Sequence, residues 1–211
     1  MDPYVTEDQQ VEALRQWWKE NALSIVAGTV LGLVAVLGVR TWLEWNNRQA
    51  ESASIEYTQV QNALTSRDNA QIQERARKLM DEFPGTPYGV LAAFAQGSAL
   101  IEKGDLTGAQ GPLTWAIERA DKPYLKGLAQ LRLARLALEQ NNLPRAQELA
   151  DQAALAGYTS QARELQGDIA LAKGDQEGAK TAYRQALAGL PKGEQAGEML
   201  RMKLDDLGGE L

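Results

Sequence analysis

The chain has 211 residues, a net charge of −6, and neither cysteine nor histidine. The missing Cys excludes disulfides, zinc thiolate sites and Cys nucleophiles while leaving the redox compartment open, and the missing His removes the commonest general base and the commonest metal ligand. An acidic chain without a dense Lys/Arg cluster has little with which to neutralise phosphates, which argues against nucleic-acid binding, and a composition dominated by Ala, Leu, Gln, Glu, Lys and Arg favours helix over sheet.

Residues 1–20 open with acids (Asp2, Glu7, Asp8, Glu12). Thr6 with Gln9 has the spacing of a capping box, and Val11, Leu14 and Trp18 fall on one face of an amphipathic helix. From Asn21 to Val39 the chain reads NALSIVAGTVLGLVAVLGV, with no charge. That length crosses a hydrocarbon core of about 30 Å. Its Leu, Ile and Val residues contribute roughly −3 to −6 kcal/mol to insertion, from which Ser24, Thr29 and three glycines subtract. Trp17 and Trp18 flank it on one side, Trp42 and Trp45 on the other. Trp17 and Trp45 are about 42 Å apart along a helix, the separation of the two interfacial belts. A transmembrane helix over 21–43 is expected.

A cleaved signal peptide would need a basic start and small residues at a cleavage site, and Val39-Arg40-Thr41-Trp42 does not supply them. Gly28 and Gly32 form a GxxxG pair, with Ala35 one turn further on, a strip that admits a second helix closely. The plainer alternative is that glycine is common in membrane helices. Arg15 and Lys19 before the span balance Arg40 and Arg48 after it, so charge does not orient it. The N-terminal amine tips the balance slightly towards a cytoplasmic N-terminus.

A helix from about Trp45 to Ser66 continues the span outward. A second covers Asn69 to Phe83 and is stopped by Phe83-Pro84-Gly85. Thr86-Pro87-Tyr88 opens the next. Then a repeat appears. In residues 160–191, Gly167 takes a close-packing position and Gly174-Asp175 a turn. Ala179, Tyr183 and Ala186 follow, and Pro191 stops the unit. This is the small–large–small pattern of a tetratricopeptide repeat. Residues 90–121 repeat it with Gly97, Gly104-Asp105, Ala109, Leu113 and Ala116, and residues 127–158 with Ala134, Asn141-Asn142, Ala146, Ala150 and Ala153. The equivalent alanines 109, 146 and 179 lie 37 and 33 apart, so the units are degenerate. Pro112 either delays the start of its helix to Ala109–Gly111 or kinks it. Residues 194–207 form a capping helix with Ala196, Met199, Leu200 and Leu204 inward. The fold class is therefore all-α: one N-terminal transmembrane helix followed by a TPR-like helical-repeat solenoid with a C-terminal cap.

In such a stack the first helix of each pair lines the concave side. That register places Leu91, Phe94, Ser98 and Ile101 there, then Leu128, Leu131, Arg135 and Leu138, then Gln161, Glu164, Asp168 and Leu171. An apolar floor with one Arg and flanking acids suits an extended or helical peptide; the alternative is that several of the leucines are core. Glu148 with Gln152 and Glu177 with Lys180 read as solvated faces. No nucleophile elbow, Walker motif or dinucleotide fingerprint is present, so no catalytic residue, metal site or cofactor is expected and the chain reads as a non-enzyme.

The run VEALRQWWKENALSIVAGTVLGLVAVLGVRTW (Val11–Trp42) resembles the N-terminus of the YfgM family, the ancillary subunit of the bacterial Sec translocon. LRLARLALEQNNLPRA (Leu131–Ala146) and EMLRMKLDDL (Glu198–Leu207) resemble its middle and closing segments. Ala22 departs from the Gly that usually follows Asn21 in the family. The resemblance implies an inner-membrane protein, single-pass, with residues 1–20 cytoplasmic and 44–211 a periplasmic TPR-like domain. It also implies association with the Sec channel and with PpiD, a membrane-anchored periplasmic chaperone, and help for newly translocated chains on their way to periplasmic chaperones. A second role that it implies is regulation of an envelope stress response through the cytoplasmic segment. Deleting residues 1–12 separates the two: lost stress regulation with intact translocon association marks a regulator, while unchanged regulation marks a scaffold.

Overall fold

The computed structural model describes residues 7–191 and 195–208. Thr6 of the capping pair and Glu194 of the closing helix lie outside them. Among the described residues every regular element is an α-helix. The chain divides into two compact units, Met1–Arg48 and Gln49–Leu211.

The first unit is the N-terminal part of α1 (Glu7–Thr65). Among the described residues α1 is the one helix long and apolar enough to cross a membrane; its most apolar stretch has a mean hydropathy of 2.4 and is wholly unburied. A core helix of that hydropathy would be covered by the protein. Its polar side chains bond their own helix: Thr29 Oγ1 donates to the Ile25 carbonyl at 2.8 Å and Thr41 Oγ1 to Leu37 at 2.9 Å. Such back-bonding supplies a partner where water is absent. Gly28, Gly32 and Ala35 are exposed, and a Cβ added at either glycine meets nothing within 4 Å. Val11, Leu14 and Trp18 are exposed as well.

The second unit is a stack of antiparallel pairs. The C-terminal part of α1 pairs with α2 (Asn69–Glu82), α3 (Pro87–Glu102) with α4 (Leu106–Arg119), α5 (Pro123–Glu139) with α6 (Leu143–Leu155), and α7 (Thr159–Ala172) with α8 (Gln176–Ala188). The capping helix α9 (Gln195–Asp206) lies against α8. Neighbouring first helices also touch, α3 with α5 and α5 with α7. Sequence reading found three repeats, and the structure contains a fourth pair ahead of them.

That fourth pair obeys the same local rule as the others. Each turn places one residue in the left-handed region: Arg67 (φ 54°), Gly104 (79°), Asn141 (57°) and Gly174 (79°). The next residue caps the second helix. Asp68, Asp105, Asn142 and Asp175 accept from backbone N–H groups two or three residues on. In each turn the left-handed residue bonds back three residues and the cap five, as in Gly104 to Ile101 and Asp105 to Leu100, both 2.9 Å. The last carbonyls of one helix and the first N–H groups of the next are thus satisfied together. At Asp68 these backbone donors, Gln71 first, hold the carboxyl below its usual range. Arg67 hid this turn from sequence reading, because a left-handed Arg costs about 1 kcal/mol and Gly or Asn is the usual sign.

Counting from each cap, the residue eight before it faces the residue eight after it. Gly97 lies against Leu113, and Gly167 against Tyr183. Ala134 and Ala150 occupy these positions in the third pair, Val60 and Ala76 in the first, and all four are fully buried. Large side chains opposite glycine and small ones opposite alanine or valine keep the helices close without a void. Pro112 is buried inside α4, which starts at Leu106, so the late start is ruled out. The cap from Asp105 to the Gly108 N–H at 2.8 Å fixes the earlier start, although Pro112 leaves the Gly108 carbonyl without its helical donor. In α9 the buried residues are Gly197, Leu200 and Leu204, with Leu207 half-buried beside them. Ala196 and Met199, expected inward, are exposed because they lie off this stripe.

A Cβ at Gly167 would sit 2.3 Å from the Tyr183 ring. Gly167→Ala is expected to cost about 1–3 kcal/mol in denaturant unfolding of the full chain in detergent. In Gly167→Ala/Tyr183→Ala, which places alanine at both positions as in the third pair, the loss falls below the sum of the two single losses.

Candidate protein-interaction site

The residues expected on the concave side meet three fates. Phe94 and Leu131 are core, 4% and 2% exposed. Helices α3 and α5 are enclosed by their own partners and by neighbouring helices, so nine residues of each are buried. The position expected to face the groove is covered with them. Leu91, Ile101, Leu128 and Leu138 are half-buried against the core, and Ser98 is half-buried too. Arg135, Gln161 and Leu171 are exposed.

Glu164 and Asp168 are already engaged. Lys203 of α9 places its Nζ 2.9 Å from Glu164 and 2.8 Å from Asp168, and Tyr183 donates its hydroxyl to Asp168 at 2.6 Å. The ammonium also lies 5.3 Å from the Tyr183 ring centroid. Burial works against the Lys203 charge, but the bonds to Asp168 and Glu164 outweigh it and raise its pKa. Burial first, then the bond to Asp168, pushes the Tyr183 phenol far up. These two acids tie the cap to the last repeat and are not open groove acids. Glu148 with Gln152 (3.2 Å) and Glu177 with Lys180 (2.7 Å) form the surface pairs expected of solvated faces.

The residue that sequence reading missed is Arg132. Its guanidinium lies 4.6 Å from the Phe94 ring centroid and is half-buried. Burial lowers its pKa, Arg135 lowers it further, and Tyr158 and Tyr57 work against the shift. Burial in turn raises the Tyr57 phenol, with Arg132 opposing it. Tyr57 and Tyr88 pack with ring centroids 5.8 Å apart. Among the described residues no carboxylate lies within ion-pair distance of Arg132 or Arg135. Both line a cavity of about 190 Å³ with Ser98, Ile101 and Glu139. The available sign was a charge set directly between Leu131 and Leu133, both of which are buried.

The family model described as a tetratricopeptide repeat-like domain matches residues 15–209. The chain belongs to that family. Curated relatives align along nearly their whole length. A protein of Haemophilus influenzae is 28% identical over 203 residues, 96% of this chain and 98% of its own, and bears the name ancillary SecYEG translocon subunit. A protein of Escherichia coli K12 with the same name is 29% identical over 98% of this chain and 99% of its own. A third so named, from Aggregatibacter actinomycetemcomitans, is 29% identical over 96% of this chain. The resemblance carried by Val11–Trp42 thus leads to the same proteins.

Lys203→Met leaves Glu164 and Asp168 without their cation, and is expected to cost about 1–3 kcal/mol at pH 7. Lys203 and Tyr183 both have folded pKa values above their ordinary ones. Their contribution is whole below about pH 10 and is lost as pH rises through the folded values. Unfolding midpoints of the full chain between pH 8 and 11 should fall at the alkaline end, and the fall should be shallower in Lys203→Met/Tyr183→Phe.

Proposed function

We propose that this protein is a non-enzymatic, membrane-anchored scaffold of the SecYEG translocon. Residues 21–43 span the bacterial inner membrane, residues 1–20 lie in the cytoplasm, and residues 44–211 form a periplasmic TPR-like domain. That domain meets a PpiD-like periplasmic chaperone and newly translocated chains and helps pass the chains to chaperones. The carrying observation is the unburied apolar stretch of α1 in a chain that aligns nearly end to end with proteins named for the translocon. The repeat stack supports the reading, since its half-buried leucines and exposed Arg135 and Leu171 offer a surface rather than a reaction centre. Confinement to the membrane raises the effective concentration of such a surface near its clients, so weak contacts suffice. Gly28, Gly32 and Ala35 give the span an open strip for a helix of the channel.

The test uses full-length protein in membranes, with photoreactive residues at Ile101, Leu128 and Leu171 and at Gln185 on the second helix of the last pair. SecYEG is expected to co-purify, and the first three positions to label a periplasmic chaperone or a translocating chain. Absence of SecYEG refutes the scaffold; labelling confined to Gln185 refutes the concave surface.

A further inference from the structure

A guanidinium that has lost half of its water needs compensation from another charge or from hydrogen bonds. Arg132 receives only part of it here. The Phe94 ring at 4.6 Å supports one face of the fork. The edge that carries the N–H donors has no carboxylate among the described residues. Arg135, one turn along the same helix, adds a second cation to the same 190 Å³ cavity, and its repulsion adds to the burial that already lowers the pKa of Arg132. Two cations held together at a cost favour an anion between them. The carboxylate closest in sequence, Glu139, lines the cavity yet pairs with neither. Ser98 adds a hydroxyl at the rim.

We propose that the cavity of Arg132 and Arg135 takes the carboxylate of an Asp or Glu side chain from a partner segment that crosses the concave face. The inference rests on the scaffold reading above and names the chemistry of its partner. The geometry favours a side chain within a chain over a chain end. The cavity lies between α3 and α5, and half-buried apolar residues stand on the same two helices toward their N-terminal ends, Leu91 on α3 and Leu128 on α5, for a passing segment to meet. The planar fork of Arg132 suits bidentate recognition of a carboxylate, which an ammonium would not match.

The full-length protein, in phosphatidylcholine nanodiscs, is panned against a display library of random twelve-residue peptides. The expected outcome is enrichment of Asp or Glu at one position, with apolar residues beside it. For the best peptide, replacing that acid by its amide should weaken binding about tenfold, as should Arg132→Gln, and combining the two should cost no more than either alone. Arg135→Gln, at an exposed position, should weaken binding by a smaller factor without shifting the melting temperature. The proposal is overturned if no acidic position is enriched, if the acid and amide peptides bind wild-type protein equally, or if Arg132→Gln keeps the discrimination. Should Arg132→Gln fail to fold, the acid–amide comparison on wild-type protein and on Arg135→Gln decides. Co-purification of SecYEG with Arg132→Gln and wild type is measured in parallel. Its persistence with failed peptide selection refutes the acid pocket alone, and its absence from wild type refutes the scaffold itself.

Discussion

Close approach of two helices within each pair is the constraint on which the stack depends. It needs a turn that reverses the chain in a few residues and a contact that lets the backbones meet. The turn comes from one left-handed residue followed by an Asp or Asn cap, used four times. The contact comes from opposing residues whose sizes are complementary, glycine under Leu113 and Tyr183, alanine under alanine. Each solution is local, so the repeats tolerate spacings of 37 and 33 residues without losing register. The added residues lengthen the helices, with α4 and α5 at 14 and 17 residues against 13 and 14 in α6 and α7, while the turn and its cap stay unchanged.

A stack of this kind has two ends to cover, and the ends differ. At the C-terminal end α9 buries Leu200 and Leu204 beside Tyr183. Lys203 then spends its charge on Glu164 and Asp168 of the last first-helix. At the other end the stack begins in α1 itself, whose Ala53, Val60 and Ala63 belong to the core. One helix thus supplies both an unburied apolar stretch and the first layer of the solenoid. Between the ends the first helices are enclosed, which leaves the polar groups among them under the strongest constraint. Arg132 is the clearest case, a cation stacked on Phe94 with no carboxylate among the described residues to meet it.

Much of this was legible in the chain, and each miss has a cause. The charge-free run from Asn21 to Val39, its tryptophans, the turns at Gly104, Asn141 and Gly174, and the small–large–small helices are local patterns that neighbouring residues fully specify. The pair α1–α2 was missed as a repeat because Arg67 occupies a position where glycine or asparagine is the usual sign. Its buried Ile72, Ala76 and Leu79 nonetheless stand at the offsets of Ala109, Leu113 and Ala116 from their cap. Phe94 and Leu131 were placed in the groove because register fixes the face of a helix but not how far the neighbours close over it. Ala196 and Met199 were placed inward because a short helix with apolar residues on two faces does not declare which face docks.

The sequence by itself determined that the chain is helical, where the pairs fold back, and that one segment suits lipid better than water, because propensity, capping and hydropathy act over a few residues. Only the tertiary structure decided which side chains remain available. Glu164 and Asp168 are neutralised by a lysine 39 and 35 residues away, and Arg132 is left facing a cavity across two helices. Charge compensation and burial depend on groups brought together from distant parts of the chain, and spacing along one helix carries no record of what the next helix will cover.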